Sequence, residues 1–221
     1  MHHVTVPGIG GSDDDHWQSH WERANDNWVR IAPKSWDEPD VDDWAAALEV
    51  AVCDTFPVLV AHSLGCLAAV RWTGENPGRV SGLFLVAPPD PRGQVFPAVA
   101  APFGLELTRV LPVPAIVVAG SNDPYCTPDR AREFASTWDV PLIDAGAHGH
   151  LNAASDIGEW AEGWNLLTAF EAGSSKKLCR QWKRVKIRAV SLHISCVEAH
   201  TTAVGLPAAA WGVDVTSELR R

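Results

Sequence analysis

The chain is short of several things, and each shortage excludes something. It has one tyrosine and one methionine beside eleven tryptophans. Its cysteines, Cys53, Cys66, Cys126, Cys179 and Cys196, are odd in number and lack the spacing of a zinc site or a redox motif. They read as reduced thiols of a cytoplasmic protein. No apolar run is long enough to span a bilayer, so no membrane role is expected. The opening MHHVTVPGIGG has no basic region followed by an apolar stretch, so no signal peptide is expected either. Cations are scarce where they would matter most. Residues 1–170 carry nine lysines and arginines against 23 aspartates and glutamates, a net charge of −14. A nucleic-acid partner needs a basic face, so a chain this acidic is a poor candidate for one and no nucleic-acid partner is expected. No His, Cys or Asp cluster has metal-ligand spacing, and no metal or organic cofactor is expected.

What remains is ordinary globular material: 221 residues, 46% apolar and 20% charged. That is enough for one α/β domain with a buried core. The indoles are expected to line that core or a cleft. Short apolar, β-branched runs mark strands at His3–Val6, Trp28–Ala32, Val58–Ala61, Leu83–Ala87, Ala115–Ala119 and Pro141–Ile143. Between them the pattern predicts helices over Asp14–Ala24, Val41–Asp54, Leu64–Asn76, Pro128–Trp138 and Ile157–Ala169. Asp40 and Thr127-Pro128 are start signals for the second and fourth. Alternation of this kind predicts an α/β fold, with a mostly parallel sheet of about six strands flanked by helices. Ligands of such sheets bind at the carboxyl ends of the strands.

Two stretches break the pattern. Asp90–Val113, with four prolines, reads as a loop over the cleft or a short irregular helix. From Glu171 the charge reverses: residues 171–221 hold nine cations and four acids. Gly173-Ser174-Ser175 looks like a linker. We expect a domain over residues 1–170 and a basic extension over 171–221.

The strongest chemical signal is Val58-Leu59-Val60-Ala61-His62-Ser63-Leu64-Gly65-Cys66. A buried strand runs into a small-x-Ser-x-small turn and then an Ala-rich helix, the context of a nucleophile elbow. The turn lifts Ser63 above the sheet, where the Leu64 N–H can face a developing oxyanion. His62, beside it, is a candidate cleft residue. A serine nucleophile needs a base, and the base needs an acid to orient it. Asp123, in Gly120-Ser121-Asn122-Asp123-Pro124 just past a late strand, fits the acid. A turn aspartate before proline is common in itself, and position makes this one a candidate. The loop after the last strand offers two bases, His148 and His150, which spacing does not separate. The first loop, Pro7-Gly8-Ile9-Gly10-Gly11, lacks the spacing of a nucleotide-binding turn. It reads as a second oxyanion donor, through the N–H of Ile9 or Gly10. His16 and Trp17 beyond it are cleft wall or helix packing.

Taken together, these residues resemble the small serine hydrolases grouped with retinoblastoma-binding serine hydrolase and the YdeN-type proteins. The resemblance lies in PGIGGSDDDHWQSHWE at 7–22, AHSLGC at 61–66, GSNDP at 120–124 and GHLNAASDIGEW at 149–160, and spans residues 3–169. It implies a compact α/β-hydrolase fold without a large cap, and hydrolysis of esters or similar acyl compounds. It also implies that the base is His150, since the family's base precedes an apolar residue and Asn. Ala61 departs from the family's glycine, and nothing after Phe170 matches. The expected activity is transfer of a small-molecule acyl group to Ser63 and then to water. Its rivals are an amidase, thioesterase or acyltransferase on the same residues, or a weakly active interaction protein whose partner the sequence does not name.

Overall fold

A computed structural model describes residues 1–104 and 109–174. Six strands form one parallel sheet: β1 (His3–Val6), β2 (Trp28–Arg30), β3 (Val58–His62), β4 (Gly82–Val86), β5 (Ala115–Ala119) and β6 (Leu142–Asp144). Their spatial order is β2-β1-β3-β4-β5-β6, and every neighbouring pair is parallel. The helices are α1 (Trp17–Arg23), α2 (Val41–Val52), α3 (Leu64–Glu75), α4 (Pro128–Trp138) and α5, residues 161–174. This is an α/β-hydrolase sheet, and no large cap domain stands over it among the described residues.

The central strands are buried on both faces, and their alternation feeds two cores. Leu59, Ala61, Leu83, Leu85 and Val117 point to one face, with Trp44, Leu48, Leu67, Phe134 and Trp138 from α2, α3 and α4. Val58, Val60, Phe84, Val86 and Val118 point to the other, with Trp17, Trp21, Trp160 and Leu167. Period-two alternation on a doubly covered strand requires apolar residues at both parities, which explains their unbroken runs. Among the described residues no helix is long and apolar enough to cross a membrane.

Element edges differ from the sequence pattern where local hydrogen bonds decide them. Helix α1 begins at Trp17 rather than Asp14, because Asp13–His16 closes a turn through His16 N–H and Asp13 C=O. The His16 side chain then caps the helix by accepting from the Gln18 N–H. Asp40 and Thr127 cap α2 and α4 as expected, accepting from Asp43 N–H and Arg130 N–H. Helix α5 starts at 161, not 157, and runs on to 174. Gly173 and Ser174 therefore belong to a helix and not to a linker. Glu171 pairs with His3 of β1, so the first residue assigned to the extension contacts the domain. From residue 175 onward that extension lies outside the described residues. The proline-rich segment after β4, which the sequence left as either a loop or a short irregular helix, contains a 3₁₀ stretch, Ala98–Gly104.

Candidate active site

Ser63 joins β3 to α3 with no loop between them. Its backbone sits at φ 53° and ψ −128°, a region that costs a residue bearing a Cβ about 1–3 kcal/mol. The surroundings hold it there. The Ser63 N–H donates to Val86 C=O of β4 at 3.0 Å. A Cβ at position 65 would stand 2.1 Å from the carbonyl oxygen of Val6 and 2.5 Å from that of Pro7, so α3 can start here only with glycine. Ala61, in β3 two residues before Ser63, is fully buried beside Val6 and its methyl group is accommodated. Gly8 serves by closeness as well. A Cβ there would lie 2.7 Å from Ser63 Cβ.

Asp123 lies on the loop after β5, its side chain fully buried. Its carboxylate accepts from the Tyr125 N–H at 2.8 Å and from His150 Nδ1 at 2.9 and 3.0 Å. A carboxylate can only accept, so Nδ1 carries the imidazole proton and Nε2 presents a lone pair. The Ser63 hydroxyl donates to that Nε2 at 2.8 Å. The structure thus brings Ser63, His150 and Asp123 into one hydrogen-bonded chain.

Three side chains from distant parts of the sequence clamp the loop that carries His150. Asn122 Oδ1 accepts from the Gly149 N–H at 2.7 Å. His62 Nε2 donates to the His150 carbonyl at 2.9 Å. Trp17 Nε1 donates to the Leu151 carbonyl at 2.8 Å, where Leu151 itself has φ +50°. The sequence pattern missed Asn122, which precedes Asp123 within its motif, and Tyr125, which directly follows that motif.

A cleft of about 430 Å³ opens over Ser63 and His150. His16 and His62 line it. Trp17 and His148 do not. Trp17 is buried against Trp21 and Trp160, and His148 is exposed to solvent. Burial lowers the pKa of His16 to about 3, with the Arg30 charge adding to the effect. Burial likewise holds His62 well below the usual imidazole range. Both rings therefore stay neutral beside His150. The Cys66 thiol, under the elbow, is pushed up by burial and stays protonated.

Leu64, Ile9 and Gly10 all border the cleft, but they differ in what their N–H groups are free to do. The Leu64 N–H stands at the first position of α3 and has no intrahelical acceptor. The Gly10 N–H, expected from the sequence as a possible oxyanion donor, is instead engaged with Trp36 C=O at 3.2 Å. No acceptor meets the Ile9 N–H among the described residues. The arrangement can deprotonate Ser63 through His150, hold the resulting imidazolium against Asp123, and offer N–H donors beside the serine. Among the described residues no group of three or more His, Cys, Asp or Glu side chains is placed to hold a metal ion.

Fold and site together define an α/β hydrolase. The family model described as serine hydrolase matches residues 3–169, and the chain belongs to that family. Within it the chain is of the YdeN type. A protein described as a YdeN-like hydrolase, from Pectobacterium atrosepticum, is 36% identical, with 78% of this chain and 91% of that one covered at a TM-score of 0.69. The ydeN gene product of B. subtilis is 20% identical, with 78% and 100% covered and a TM-score of 0.66. The esterase domain of a Rhodothermus marinus protein shares the fold at 17% identity, with 74% and 85% covered and a TM-score of 0.54. No curated protein matches the chain.

Proposed function

We propose that this protein is a serine esterase acting on small acyl esters, with Ser63 as nucleophile, His150 as general base and then acid, and Asp123 as the group that orients it. The observation that carries the reading is the unbroken chain from Asp123 through His150 to Ser63, with the proton on Nδ1 and the lone pair on Nε2. Ser63 Oγ attacks the ester carbonyl while its proton passes to His150 Nε2. The C–O bond to the alcohol then breaks, and His150 returns that proton to the leaving oxygen. Water repeats the sequence on the acyl-enzyme, releasing the acid and regenerating Ser63. Asp123, buried and acceptor-only, favours the imidazolium formed in both steps. The N–H groups of Leu64 and Ile9 serve the oxyanion, the first reinforced by its place at a helix N-terminus.

The test is turnover of a butyrate ester by the full chain and by Ser63→Ala. The loss expected is on the order of 10⁶-fold, with the melting temperature retained. A variant that kept more than a few per cent of activity would remove Ser63 from the role. Matched butyryl amide and thioester, run beside the ester, decide which acyl bond is preferred.

A further inference from the structure

The chain's one tyrosine, Tyr125, sits in the cleft beside the base. Its ring centroid is 4.5 Å from that of His150, with the planes tilted by 53°. The residue is nonetheless 39% exposed, so the rest of the ring stands open. Its backbone is fixed from both sides. The N–H donates to Asp123 Oδ1 at 2.8 Å, and the C=O accepts from the Asp90 N–H at 2.9 Å. Asp90 is held in turn by Arg130 at 2.8 Å. A flat apolar surface is thus placed against the base before any ligand arrives, with little ordering left to do on binding.

The chemistry of the step says what that surface would meet. In acylation His150 must hand its proton to the leaving oxygen, so the leaving group has to lie within hydrogen-bond reach of Nε2. Whatever borders His150 on the cleft side therefore borders the leaving group. The acyl part does not need to be there, since its carbonyl oxygen faces the Leu64 and Ile9 N–H groups. We propose that Tyr125 is the specificity-determining wall for the leaving group, and that the favoured substrates are esters of aromatic or otherwise flat apolar alcohols. This rests on the Ser63–His150–Asp123 reading. An aromatic ring gains from an offset or edge-on partner beyond the area it buries, which is the preference this wall would impose.

The experiment compares benzyl and methyl butyrate in the full chain, in Tyr125→Phe, Tyr125→Leu and Tyr125→Ala. Both esters give the same butyryl-enzyme and differ only in the alcohol. In Tyr125→Ala the benzyl-to-methyl ratio of kcat/KM should fall about tenfold. Tyr125→Phe should restore the ratio, and Tyr125→Leu, which keeps bulk without the flat face, should restore it only in part. Deacylation, which carries no leaving group, should change far less than the ratio. An unchanged ratio in Tyr125→Ala would overturn the proposal. So would equal losses on both esters with deacylation slowed to match, because the ring would then act only by positioning His150. Fluorophosphonate labelling of Ser63 involves neither alcohol. Failure of the underlying reading shows as loss of labelling, and failure of this inference as an unchanged ratio in a protein that labels.

Discussion

Ser63 and His150 stand 2.8 Å apart, yet different kinds of structure hold them. Around Ser63 the fixing is done by backbone. The β3–α3 junction, the hydrogen bond to Val86 and the approach of Val6 and Pro7 to Gly65 leave no room for another arrangement. Around His150 the fixing is done by side chains brought from afar. Asn122, His62 and Trp17 each hold one residue of the 149–151 loop, across 27, 88 and 134 positions of chain. Behind Trp17 lies a cluster of indoles, Trp21, Trp28, Trp160 and Trp164, packed edge to face or stacked. Trp21 Nε1 also donates to Glu159 C=O, so this cluster ties α1 to the chain that follows His150 at two points. An elbow fixed by backbone should fail as a unit when crowded. A loop fixed by side chains should loosen by degrees.

Gly65→Ala tests the first half and should have the largest effect. The methyl group would meet the backbone carbonyl oxygens of Val6 and Pro7 at the end of β1, which cannot swing aside as a side chain could. A loss of about 4 kcal/mol or more is expected, read as a drop in the urea midpoint or as loss of soluble protein. A variant with normal stability would mean that β1 and α3 approach less closely than described.

Trp17→Phe tests the second half. It keeps most of the packing and removes the Nε1 donor, leaving the Leu151 carbonyl buried without its partner. The expected cost is about 1–3 kcal/mol of stability. Loosening beside the base should lower kcat by about tenfold or more, with KM less affected. If kcat held while stability fell, the indole would be supporting the fold and not the placement of His150.

This contrast also explains what could be read from the sequence. The elbow is contiguous, so Val58–Cys66 displayed strand, turn and helix in nine letters. Asp123 was legible from its place after a strand. His150 and His148 were not separable by spacing, because the loop's conformation decides between them. Only the resemblance to the serine hydrolases favoured His150. Gly10 looked as able as Ile9 to donate, since its bond to Trp36 depends on a loop 26 residues further on. In sequence Trp17 reads as cleft wall or as packing, whereas its indole N–H links helix α1 to the loop that carries His150. Contacts of that range leave no local pattern.

Acid provides a gentler probe of the same region. His16 has a folded pKa of about 3 against an ordinary value near 6.5. Between those values the unfolded chain binds a proton that the folded one refuses, so stability falls as pH falls from about 6.5 toward 3. The slope is about 1.4 kcal/mol per pH unit from this ring, with His62 acting in the same direction. His16→Asn should keep the α1 cap, since Asn is a good N-cap, and should reduce that slope. Urea midpoints at pH 7 and pH 5 measure it. An unchanged slope in the variant would show that His16 is protonated in the folded state or does not differ from the unfolded chain.

The central claim is that Ser63, activated by His150, forms the acyl-enzyme. Reaction of the full chain with a fluorophosphonate, followed by peptide mass mapping, tests it without any assumption about the natural substrate. The account predicts one adduct, on Ser63, absent in Ser63→Ala and formed far more slowly in His150→Ala than in His148→Ala. An adduct on another residue, equal labelling of the two histidine variants, or no labelling of the folded protein would contradict it.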